Sequence, residues 1–107
     1  MAQMTQARPQ PATTQFLDRP GGRIAYEVSV EGPLVVAVPG MGDLRSAFSA
    51  VAPALVDAGY RVATMDLRGH GESDTTFDAY DSAAAGSDIV ALIEGLGGPA
   101  VVIGNSM

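Results

Sequence analysis

Ala100-Val101-Val102-Ile103-Gly104-Asn105-Ser106-Met107 ends the sequence with a short apolar run that passes directly into a glycine, an asparagine and a serine. An unbroken apolar run of this length, bounded by turn residues, marks a strand covered on both faces, as in a parallel sheet. The same grammar recurs upstream. Leu34-Val35-Val36-Ala37-Val38 is a second such run and halts at Pro39-Gly40. Tyr60-Arg61-Val62-Ala63-Thr64-Met65 is a third, and it opens into the polar, glycine-rich stretch Asp66-Leu67-Arg68-Gly69-His70-Gly71-Glu72-Ser73-Asp74. Loops at the carboxyl ends of such strands are where α/β proteins bind ligands.

Between these strands the period changes from strand to helix. Ser46 is placed to cap a helix with Phe48, Val51 and Leu55 on one apolar stripe, and Gly59 to end it in a left-handed conformation. A second helix is expected over residues 82–96, with Ile89, Leu92, Ile93 and Leu96 inward, before Gly97-Gly98-Pro99 breaks it. Ahead of the first buried strand, residues 23–30 alternate in the β manner after Gly21-Gly22, and Glu31-Gly32-Pro33 supplies a further turn. The resulting order, β-β-β-α-β-α-β with right-handed crossovers, predicts an α/β fold with helices on both faces of a mostly parallel sheet.

Composition narrows the partners. Six Lys/Arg against twelve Asp/Glu give a formal charge of -6 over 107 residues, so there is no basic stripe for nucleic-acid phosphates or anionic lipid. No apolar run approaches the roughly 20 residues of a membrane-spanning helix. The absence of cysteine removes disulfides, thiolate metal sites and a cysteine nucleophile. Residues 1–15 mix Gln, Thr, Ala and Pro without an apolar core, and read as a disordered tail rather than a signal peptide, with a cytoplasmic location as the default. Residues 16–107 then form one domain or the N-terminal part of one. No metal or cofactor site is read from the pattern.

The run Gly104-Asn105-Ser106 matches the opening of a G-x-S-x-G nucleophile elbow, in which a sharp turn after a strand exposes a serine hydroxyl and the following helix N-terminus favours developing negative charge. Val38-Pro39-Gly40-Met41-Gly42-Asp43 stands after another buried strand, where this chemistry needs a second backbone N–H for the oxyanion.

With these two features, Asp66-Leu67-Arg68-Gly69-His70-Gly71-Glu72-Ser73 resembles the D-x-R-G-x-G-x-S segment of α/β-hydrolase-fold proteins. The order and spacing of the three motifs also resemble that family, over about residues 16–107. The resemblance implies that Ser106 is the nucleophile and that the backbone N–H groups of Met41 and Met107 form the oxyanion hole, each donor being worth about 3–4 kcal/mol. It implies a small-molecule acyl substrate, cleaved through an acyl-Ser106 intermediate, with the Met41 side chain lining the pocket. Acyl transfer is the neighbouring alternative. Serine also argues against the family's epoxide hydrolases and haloalkane dehalogenases, which use aspartate at the elbow. One departure stands out: Pro39 occupies the position before the oxyanion glycine, where many members have histidine.

His70 is the single histidine. In the family's strand order its strand is separated from the serine strand by the oxyanion strand, about 10 Å away, so a structural loop role is expected rather than that of general base. The catalytic acid and histidine follow the serine in hydrolases of this kind, and are expected downstream of Met107. The chain is therefore expected to be an N-terminal piece, inert by itself, with residues 100–103 left as an apolar edge. Two other readings compete. Gly40-Met41-Gly42 with Asp66 imitates a dinucleotide-binding fingerprint, although Arg45 replaces its third glycine and the loop from Arg68 to Asp74 goes unexplained. A non-catalytic binding protein or inactive remnant of the same fold is the other.

Overall fold

The computed structural model describes residues 13–104. Five strands form one sheet: β1 (Gln15–Arg19), β2 (Gly22–Val28), β3 (Leu34–Val38), β4 (Arg61–Met65) and β5 (Ala100–Gly104), in the spatial order β1-β2-β4-β3-β5. The first two make an antiparallel hairpin, β2 runs antiparallel to β4, and β3, β4 and β5 are mutually parallel. The α/β class read from the pattern is the one observed, with a parallel core extended by an antiparallel hairpin. β1 takes up Gln15, one residue inside the stretch expected as tail, and residues 1–12 lie outside the described residues.

β3 is buried along most of its length, as its unbroken apolar run requires. Leu34 and Val36 join Ile24, Ala63, Met65, Phe77 and Leu92 in the core, while Val35 and Ala37 alternate to the opposite face and are equally enclosed. After β3 the chain crosses to β4 through a 3₁₀ turn (Arg45–Phe48) and helix α1 (Val51–Asp57); after β4 it returns through α2 (Ser82–Gly95) to β5 on the other side of β3. Right-handed crossovers in opposite directions place the two helices on opposite faces.

The second helix starts at Ser82 as expected, but the start of the first differs from expectation. Ser46 caps nothing: it lies inside the 3₁₀ turn, whose N-cap is Leu44, and Ala47 donates to the Leu44 carbonyl instead. α1 begins only at Val51, with Ala50 as an N-cap that makes no side-chain bond. This later start rotates the apolar stripe, so that Phe48, Ala52 and Leu55 turn inward and Val51 is left 46% exposed. The end of α1 follows the pattern: Gly59 has φ +98, with Tyr60 N–H on Leu55 C=O and Gly59 N–H on Val56 C=O. In α2 the cap is Asp81, whose carboxylate accepts the Ala84 N–H at 2.8 Å.

β5 pairs with β3 and presents Val101 and Val102 to solvent, at 62% and 48% exposure, so it forms the apolar edge expected of residues 100–103.

Candidate active site

Three chain segments converge at the carboxyl edge of the parallel strands. The parallel register sets Val38 beside Gly104, so β3 and β5 end level with each other. β4 lies on the far side of β3 and ends in the loop that starts at Asp66. Ser106 and Met107, the expected nucleophile and second oxyanion donor, lie outside the described residues.

The Met41 donor lies within them. Asp43 N–H bonds the Gly40 carbonyl at 2.9 Å, and Gly42 has φ +90, the pattern of a type II turn with Met41 at its second position. Only glycine adopts that φ without strain. In a trans peptide the N–H points opposite to the C=O. Because the Gly40 carbonyl is directed into the turn, the N–H of Met41 in the same peptide unit faces outward. No acceptor for it is found among the described residues, and Met41 is 55% exposed.

The Asp66 loop is a clamp in which almost every motif residue has a mechanical task. Asp66 is buried; its carboxylate accepts the backbone N–H of Arg45 at 2.7 Å and of Glu72 at 3.1 Å, and pairs with the Arg45 guanidinium. Arg45 also reaches Glu27 at 2.8 Å, Glu72, and the Thr14 hydroxyl at 3.0 Å. Burial alone would lower the Arg45 pKa, but hydrogen bonds to Glu72 and Glu27 outweigh it and hold the guanidinium above its ordinary value. Arg68 binds Asp88 of α2 through both carboxylate oxygens, each at 2.8 Å, and lies over the Phe77 ring at 4.1 Å. Its bond to Asp88 raises its pKa. Gly71 has φ +50, and a Cβ there would run into the Asp66 carboxylate. The Ser73 hydroxyl donates to the Asp66 carbonyl at 2.8 Å and accepts the Ala25 N–H of β2 at 2.9 Å.

His70 is a structural loop residue, as expected, and β3 does separate its strand from β5. Both ring nitrogens are engaged: Nδ1 lies 3.0 Å from the Arg68 carbonyl, and Nε2 accepts the Gly42 N–H at 3.0 Å. Neither is free to take a proton from a serine hydroxyl. The dinucleotide reading also fails on local geometry. A four-residue 3₁₀ turn, not a helix N-terminus, follows the glycines, and Arg45, at the position of the third glycine, is committed to carboxylates. Among the described residues no group of His, Cys, Asp and Glu has the makings of a metal site, and no helix is long and apolar enough to cross a membrane.

A parallel core with a hairpin on one side, an outward-facing amide after β3 and the Asp66 clamp after β4 define an α/β-hydrolase scaffold. The chain belongs to the alpha/beta hydrolase family, whose pattern matches residues 35–107. It is 33% identical over 89 residues to epoxide hydrolase A of Mycobacterium tuberculosis (strain ATCC 25618 / H37Rv), covering 79% of this chain and 28% of that protein. Among solved structures it superposes on an epoxide hydrolase from an endophytic Streptomyces with a TM-score of 0.81 at 38% identity, over 89% of this chain and 30% of that one. It superposes equally on the thioesterase domain from the curacin biosynthetic pathway, with a TM-score of 0.82 at 31% identity, over 92% of this chain and 38% of that one. The chain thus spans less than a third of the length of the epoxide hydrolases it matches.

Proposed function

We propose that the protein is a serine hydrolase that cleaves carboxylic ester or related acyl bonds. Ser106 Oγ attacks the acyl carbonyl, and the tetrahedral oxyanion is held by the N–H groups of Met41 and Met107. The leaving alcohol or thiol departs to give acyl-Ser106, which water then hydrolyses. The general base and its acid partner belong to sequence beyond Met107, in keeping with the full commitment of both His70 nitrogens. The observation that carries the reading is the outward amide of Met41 in the turn that follows β3, whose last residue, Val38, is level with Gly104. Ser106 lies two residues past Gly104, a reach of at most about 7 Å. The likeness to a thioesterase domain supports acyl chemistry.

Epoxide hydrolysis is the second reading, favoured by the relatives of that name. Residue 106 weighs against it. An aspartate opening an epoxide forms an ester that water can cleave, whereas a serine would form an ether, which hydrolysis leaves intact. Acyl transfer remains an alternative fate of the same acyl-enzyme.

The test is a fluorophosphonate probe on the complete protein, followed by turnover of p-nitrophenyl acetate and of styrene oxide. Labelling that disappears in Ser106→Ala, with ester and not epoxide turnover, is the expected result. Epoxide turnover that survives Ser106→Ala would overturn the assignment.

A further inference from the structure

The Met41 amide is useful as an oxyanion donor only if its direction is held, because a donor displaced by about 1 Å can cost 10²-fold in rate. Two peptide planes flank Met41. The bond from Asp43 N–H to the Gly40 carbonyl fixes the first. The second contains the Gly42 N–H, and that N–H ends on His70 Nε2.

We propose that His70 is a positioning residue for the oxyanion turn, acting as a neutral clip between the β4 loop and the end of β3. The chemistry of its two partners dictates the tautomer. The Arg68 carbonyl only accepts, so Nδ1 carries the hydrogen, and the Gly42 N–H only donates, so Nε2 presents its lone pair. The ring is itself anchored. His70 N–H donates to the Leu67 carbonyl at 2.9 Å, and the His70 carbonyl accepts from Ser73 N–H at 3.0 Å. Arg68, whose carbonyl orients Nδ1, is pinned by Asp88, by the Ala79 carbonyl at 2.9 Å and by the Phe77 ring. A rigid path therefore runs from α2 through Arg68 and the imidazole to the turn that bears the Met41 amide. The motif histidine acts on the reaction without touching substrate, and the role rests on the acyl-hydrolase reading above.

The experiment compares His70→Phe and His70→Gln in the complete protein. The phenyl ring offers Gly42 no acceptor, whereas the glutamine amide oxygen does. His70→Phe should lower kcat on p-nitrophenyl acetate by about 10- to 100-fold with KM changed less than about threefold, and His70→Gln should recover most of kcat. Equal losses in both variants, or a loss confined to KM, would overturn the positioning role. The imidazole ¹⁵N spectrum supplies a readout independent of turnover. His70 should show the Nδ1–H tautomer, and the Gly42 amide resonance should move in His70→Phe. An Nε2–H tautomer or an unmoved Gly42 resonance overturns the proposal even where Ser106 labels normally. Conversely, a protein with the expected spectrum but no Ser106 labelling overturns the nucleophile assignment and, with it, the catalytic consequence of the clip.

Discussion

Val38 and Gly104 are register partners in neighbouring parallel strands, so the turn carrying Met41 and the sequence carrying Ser106 leave the sheet from the same level. Met41 stands at the second position of its turn, where proline is readily accepted. Met41→Pro should therefore keep the fold while deleting one of the two N–H groups proposed for the oxyanion. A fall in kcat of about 10²- to 10³-fold is expected, with the thermal midpoint nearly unchanged. Met41→Leu retains the amide and should retain kcat within a few-fold. Steady-state kinetics and a melting curve on each variant check both statements.

Asp88 is 1% exposed and is shared by Arg68 and Arg19. Asp88→Ala leaves those guanidinium groups without their common counter-charge, one of them buried. A loss of about 3–5 kcal/mol is expected, read as a lower urea midpoint. The loss should exceed that of Arg23→Ala, whose partner Asp74 is 31% exposed and whose own side chain is 51% exposed.

Two glycines should respond in opposite directions to alanine. Gly71→Ala adds a methyl into the Asp66 carboxylate at φ +50, and a destabilisation of at least about 1–3 kcal/mol is expected. Gly86 lies inside α2, with open space where its Cβ would be, and Gly86→Ala should stabilise by about 0.5–1 kcal/mol. Denaturant titration of the pair resolves the sign.

Two serines separate in the same way. Ser73→Ala strands the Ala25 N–H in the interior and should cost about 1–3 kcal/mol. Ser46 is exposed and makes no capping bond, so Ser46→Ala should stay within about 0.5 kcal/mol of the parent.

The strands were legible because their signals are local: an unbroken apolar run for β3, a change of period at each helix, a glycine at each break. The end of α1 at Gly59 was legible for the same reason. Its start was not, since Ser46 has the chemistry of a cap but the chain first makes a 3₁₀ turn that consumes the Leu44 carbonyl. The ion pairs were hidden by sequence distance. Arg45 meets partners on β2 and in the Asp66 loop, and Asp88 joins residues 20 and 69 positions away. One signal for Asp88 was present: it stands four residues before Leu92, on the inward face of α2. The resemblance supplied what spacing alone did not, namely the position of β3 between its two neighbours and hence the structural role of His70.

The family match starts at residue 35, which leaves the β1–β2 hairpin outside it. Yet β2 holds the Asp66 loop directly: Ala25 N–H goes to the Ser73 hydroxyl, Ala25 C=O receives Asp66 N–H, Arg23 C=O receives Asp74 N–H, and Arg23 N–H donates to the Asp74 carboxylate. The hairpin is thus a buttress for the loop whose His70 holds the Gly40–Asp43 turn. A shortened version beginning at the matched segment would lose the support of the Asp66 loop before it lost any residue of that loop.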